Sequence, residues 1–271
     1  MADSTAPGER RHADRELIRD TSSRAIAYLE SLTDGPVAAA VDVEELRARL
    51  GGPLPESGTP AAEVVADLDD VARPGLVGTA GPRFFGFVIG GVHPVALATD
   101  WLVSTWDQNL GLHVLSPPES IAEETAARWL LDLLGLPAGA SVAFVTGAQM
   151  ASFTGLSAAR HEVLRRSGWD VNARGLAGSP GIDIVAGEEA HITIHRALRY
   201  LGIGTDAVRV VATDREGRMK PGALREVLSR CDRPTIVCAQ AGDVNSGAFD
   251  PFEEIVPIVR AHDAWLHVDG A

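Results

Sequence analysis

Four apolar runs in this sequence end in residues that could do chemistry. The run at 142–145 leads into Thr146, Gly147, Ala148 and Gln149, a glycine turn that opens straight into a helical pattern. The run at 182–186 is followed by Gly187, Glu188, Glu189, Ala190 and His191. The run at 234–238 is followed by Gln240 and a polar stretch, and the run at 265–268 by Asp269, Gly270 and Ala271. A glycine turn at a helix N-terminus presents free backbone N–H groups and suits a phosphate. Many such turns carry glycine for packing alone. A histidine opening a helix is commonly structural, and a strand-end aspartate commonly caps the next turn. On one edge of one sheet, however, the three features describe a site for a flat, phosphorylated, basic heterocycle. Its phosphate would lie on the turn and its ring against His191, with Asp269 paired to a protonated ring nitrogen.

The elements that must position these residues are legible as periodicity. Leu17, Ile18, Thr21, Ala25, Tyr28, Leu29 and Leu32 form a helical stripe over 13–32. Shorter helices are expected over 41–50 and 61–72, separated by the Gly- and Pro-rich linker 51–60. Ser116, two prolines and Glu119 read as a helix start with a capping box, and Asp250, Pro251 and Glu253 repeat that pattern. From residue 142 on, five apolar strands (142–145, 182–186, 208–212, 234–238, 265–268) alternate with four helices. That alternation is the signature of an α/β domain with a mostly parallel sheet. Ligands of such sheets bind beyond the carboxyl ends of the strands, the edge on which the candidate residues fall. The expected division is a helical N-terminal segment over 1–80 and a cofactor-binding domain over 81–271.

Composition narrows the function classes. A net charge of −13 argues against nucleic acid and anionic membrane surfaces as partners. Two cysteines, Cys231 and Cys238, have neither metal-ligand nor disulfide-framework spacing, which fits a reducing cytoplasm, and no metal is expected. The opening residues have no apolar core of the kind a secretory leader needs. The most apolar stretch, from Phe84 to Trp106, is interrupted by His93, Pro94 and Asp100 and is not expected to span a bilayer. Of the basic residues, Lys220 is the single lysine.

The geometry sketched above is that of a pyridoxal phosphate site, where a carboxylate keeps the ring protonated so that it can accept an electron pair. The motifs, in their order, resemble the pyridoxal-phosphate-dependent decarboxylases acting on glutamate, aromatic amino acids and diaminobutyrate, which share the aspartate aminotransferase fold. The segments that carry the resemblance are PRFFGFV, ALATDWLVSTWDQN, VTGAQMASFTGLSAAR, GEEAHITIHRALRYLG, AQAGDVNSGAFDPFEEI and WLHVDGA. The resemblance implies pyridoxal 5'-phosphate held at its phosphate by Gly147, Ala148 and Gln149, stacked on His191, and paired with Asp269. It places Ala271 beneath the ring and Gln240 near the ring's phenolic oxygen or the substrate carboxylate. His191 and Asp269 are the implied catalytic residues, an amino acid the implied substrate, and a homodimer the implied assembly. The sequence departs from the family at Gln149, where Ser or Thr is usual, at Ser152, often Asn, and at Gly81, often His. The family's cofactor-bonding lysine lies beyond the motif that ends here at Ala271. The expectation is therefore a sheet incomplete at its C-terminal side and a chain inactive by itself. An aminotransferase, another carbon–carbon lyase or a non-catalytic scaffold on the same fold is the alternative.

Overall fold

The computed structural model describes residues 7–206 and 208–271. Residues 1–6, the head of the expected helical segment and of the opening read for a leader, lie outside the described residues, as does Ala207 before the third expected strand. The chain divides into two compact units, one ending at Asp107 and one beginning at Gln108. The sequence suggests a boundary between residues 80 and 81.

The first unit is helical: α1 (Pro7–Ser31), α2 (Val43–Leu50), α3 (Ala61–Ala72) and α4 (Pro94–Trp106), with a 3₁₀ turn at Arg73–Gly75. Pro94, which interrupts the apolar stretch, is the first residue of α4, where its missing N–H costs nothing. Among the described residues of this unit only Gly78 is buried. Its helices are tied by charge instead. Arg24 on α1 donates to Asp69 and Asp70 on α3 at 3.2 and 3.1 Å. Arg73 and Arg24 hold the Asp69 carboxyl below the usual range, against the pull of its desolvation. Among the described residues no helix is long and apolar enough to cross a membrane.

The second unit is α/β. Its helices are α5 (Pro117–Leu133), α6 (Ala148–Arg166), the short α7 (Val171–Arg174), α8 (Ile192–Tyr200), α9 (Pro221–Leu228) and α10 (Phe252–Ala261). Its strands are β1 (Asp183–Gly187), β2 (Val208–Val211), β3 (Thr235–Gln240) and β4 (Trp265–Asp269), all parallel, in the order β2-β1-β3-β4. Side chains alternate between two cores. Ile184, Ala186, Ile236 and Cys238 pack with Leu156, Leu164, Ile194 and Leu198 of α6 and α8. Val185, Val237 and Ala239 pack with Leu224, Leu228, Ile255 and Val259 of α9 and α10. Both faces of the sheet are thus covered, which is why its central strands read as continuous apolar runs.

Two expectations need correction. The run at 142–145 is not a strand: it has no ladder partner among the described residues, and Val142, Phe144 and Val145 are all exposed. Its alternation is strand-like, but a strand exists only where another strand offers its N–H and C=O groups. The capping boxes are also different in kind. Ser116 does precede α5, but its hydroxyl bonds the Glu119 carboxylate rather than a backbone amide. Asp250 caps nothing: the N-cap of α10 is Pro251, and the Asp250 carboxylate is taken by two other amides described below.

Candidate functional site

Chain order and sheet order diverge between β1 and β3. From β1 the chain steps to β2 on one side, then returns past β1 to β3 on the other. Such a reversal opens a crevice at the carboxyl ends of the two central strands, where ligands of open α/β sheets bind. His191 follows β1 and Gln240 ends β3. The His191 backbone N–H donates to Gln240 Oε1 at 3.3 Å, directly across that crevice.

His191 is the N-cap of α8, and its Nδ1 accepts the Thr193 amide at 3.3 Å and lies 2.8 Å from Thr193 Oγ1. The ring itself is exposed, free to lie flat on a ligand.

The glycine turn sits at the head of α6. Gly147 has φ 153° and ψ 174°, a conformation open only to glycine. A Cβ there would meet nothing within 4 Å, so backbone shape, not crowding, demands the glycine. The Gly147 carbonyl accepts from Met150 and Ala151 at 3.0 Å each, while no side chain caps the helix. The Ala148 and Gln149 amides precede Met150, the first intrahelical donor, so the helix gives them no acceptor and an anion could take them. The Gln149 side chain donates from Nε2 to the Thr193 carbonyl at 3.2 Å. Its Oε1 is buried without a partner among the described residues. Thr193 therefore links the α6 turn to His191, a role sequence reasoning missed.

On the other side of the crevice, Gln240 and Asp269 are register partners at the ends of β3 and β4. The Asp269 carbonyl accepts the Ala241 amide at 2.7 Å, and its Oδ1 accepts the Ala271 amide at 3.2 Å. The strand and the turn beyond it thus aim the carboxylate, and Oδ2 has no partner among the described residues. Beneath, burial pushes the Cys238 thiol up to about 12, so it is an inert apolar group. Hydrogen bonds link Gln149 through Thr193 and His191 to Gln240, and the β3–β4 register sets Gln240 beside Asp269, with Gly147 and Ala148 at the α6 end and Ala271 beyond Asp269. Lys220 is exposed and stands at the N-cap position of α9 without a side-chain capping bond. Among the described residues no cluster of His, Cys, Asp or Glu could hold a metal ion.

Asp250 fastens this edge. It is 6% exposed, and its two carboxylate oxygens accept the Met219 and Gln240 amides at 2.7 Å each. Asp250→Ala leaves two buried amides without acceptors and is expected to cost about 2–5 kcal/mol of stability. Asp250→Asn keeps one acceptor and should cost roughly half as much. Urea unfolding measures both; a shift below about 0.5 kcal/mol in the alanine variant would show the bonds to be replaceable by water.

The sequence and the fold have known counterparts. Residues 44–271 match the pyridoxal-dependent decarboxylase conserved domain. Human cysteine sulfinic acid decarboxylase is 31% identical over 232 residues, which are 84% of this chain and 46% of that protein. L-2,4-diaminobutyrate decarboxylase of Rhizobium meliloti (strain 1021) is 31% identical over 277 residues, covering 96% of this chain and 54% of that protein. The crystal structure of mouse CSAD superposes with a TM-score of 0.87 at 27% identity, over 96% of this chain and 54% of that one. Oryza sativa TDC with PLP and tryptamine gives 0.83 at 25% identity, over 100% of this chain and 56% of that one. The chain spans about half the length of the curated relatives it matches.

Proposed function

The chain belongs to the pyridoxal-dependent decarboxylase family, and from that premise we propose that it forms the cofactor-binding part of an enzyme that removes the α-carboxylate of an amino acid. The observation that carries the reading is the line of groups from the uncapped α6 turn, through hydrogen bonds to Thr193, His191 and Gln240, to Asp269 in register with Gln240 on β4. Its donors and acceptors suit the family's cofactor end for end: amides for a phosphate, an exposed flat ring for stacking, a carboxylate oxygen for a ring N–H.

In this reading the Ala148 and Gln149 amides at the Gly147 turn hold the phosphate, and His191 covers one face of the ring. Ala271 lies under the other face. Asp269 Oδ2 would accept the ring N–H and hold that proton, with Oδ1 remaining on the Ala271 amide. Gln240, whose Oε1 is committed to His191, turns its Nε2 donors toward the phenolic oxygen or the substrate carboxylate. When bound, pyridoxal phosphate would supply an electron sink for the pair released as the α-carboxylate is lost. Lys220 is given no part in this reading, since its side chain is exposed and the amine is not desolvated as a Schiff-base lysine requires. The same proposal includes assembly as a homodimer and residence in the cytoplasm. The many apolar side chains left exposed by a single chain, among them Phe85, Phe87 and Trp101, support the first, and two free cysteines support the second.

The test is to supply pyridoxal phosphate to the full-length protein and measure carbon dioxide release from acidic, aromatic and basic amino acids. Release from one class, with the matching amine as product, is expected. Cofactor binding with transamination and no carbon dioxide would replace the proposed reaction with another on the same fold.

A further inference from the structure

We propose that Gly155 and His267 are positioning residues: their contact sets the distance between the phosphate turn and the Asp269 carboxylate. This rests on the pyridoxal phosphate reading above. Trp265, His267 and Asp269 alternate onto the α6 face of β4, as the packing of Trp265 against the α6–α8 core requires. His267 meets α6 at Gly155. A Cβ built on Gly155 would lie 3.0 Å from His267 Cε1 and 3.1 Å from Nδ1, closer than such contacts normally come. The helix backbone therefore rests directly on the imidazole ring.

The pair stands between the two ends of the site. Gly147 opens α6 eight residues before Gly155, about 12 Å along the helix. Asp269 lies two residues beyond His267, about 7 Å along the strand. A rigid ligand with a phosphate at one end and a ring nitrogen at the other must match that span. Glycine is the poorest helix former after proline, and Gly155 has no positive φ that would require it. The close approach is the structural feature that calls for it. His267 is held by packing rather than by a bond at its far nitrogen: Nε2 is buried without a partner among the described residues. Burial lowers the ring's pKa against the opposing pull of Asp269, so the spacer is a neutral ring.

Gly155→Ala tests this in the full-length apoprotein, titrated with pyridoxal phosphate and separately with inorganic phosphate, followed by tryptophan fluorescence. The expected result is a roughly tenfold weaker affinity for pyridoxal phosphate, with phosphate affinity unchanged, because only the two-ended ligand senses the span. In the double variant Gly155→Ala/His267→Ala the methyl fills space vacated by the ring. It should bind pyridoxal phosphate no worse than His267→Ala alone, a non-additive outcome. Unchanged affinity in Gly155→Ala, equal losses for both ligands, or additive losses in the double variant would each overturn the inference. If Gly155→Ala fails to fold, recovery of folding in the double variant supports it and an unfolded double variant overturns it. A wild-type protein that binds no pyridoxal phosphate would instead overturn the proposed function.

Discussion

Replacing Asp269 by Asn in the catalytically competent full-length protein is expected to lower kcat by about 10²–10³ while leaving pyridoxal phosphate bound. The amide occupies the same volume, keeps an oxygen for the Ala271 N–H, and leaves the Ala241 bond untouched, because that bond uses the main-chain carbonyl. What it loses is the negative charge that favours a protonated ring nitrogen. Without that proton the ring is a poorer acceptor for the electron pair released with carbon dioxide, so the loss falls on turnover rather than on binding. Steady-state kinetics with a cofactor-binding titration separate the two. Retention of more than about half of wild-type kcat would show that Asp269 serves only as the acceptor that shapes the turn at Ala271. His191→Ala removes a stacking surface and no charge, and its effect belongs to cofactor affinity.

The second large effect concerns the 271 residues expressed by themselves with no partner chain. They are expected to associate, to release no carbon dioxide above background, and to carry no pyridoxyl group on Lys220 after borohydride reduction. The physical grounds are burial and placement. Among the described residues up to Asp107, no apolar side chain is buried, and Leu54, Phe85 and Phe87 are each about 90% exposed. Charge pairs such as the partly buried Arg24 with Asp69 do not substitute, since ion pairs near the surface contribute little beside apolar burial. Helices gain most of their stability from packing an apolar face, so this unit needs a surface to pack against. The segment at 142–145 adds an exposed apolar backbone with open hydrogen-bonding groups, a template for pairing with another chain. Light scattering, thermal unfolding and peptide mapping after reduction check all three expectations. A monodisperse, cooperatively melting monomer with measurable turnover would contradict them together.

Periodicity by itself determined four strands and four helices of the second unit. Each of the strands β1 to β4 falls on an apolar run seen in the sequence, and α6, α8, α9 and α10 fall on the helical patterns between them. The reason is that alternation and 3.6-residue spacing are local properties of the chain. The identities at the strand ends were equally legible: Gly147, His191, Gln240 and Asp269 stand out because polar residues there interrupt apolar runs, and their order along the chain carries the family resemblance. Tertiary structure decided what those residues touch. Whether 142–145 becomes a strand depends on a partner distant in sequence, and no alternation reports that. Asp250 has the spacing of a helix cap, yet its carboxylate joins the amides of Met219 and Gln240, which folding delivers from separate elements. Thr193 links the α6 turn to His191 only because α6 and α8 lie side by side on one face of the sheet. Gly155 carries no signal in the sequence beyond being a glycine in a helix. Its meaning is supplied by the ring of His267, more than a hundred residues away along the chain and in van der Waals contact across the fold.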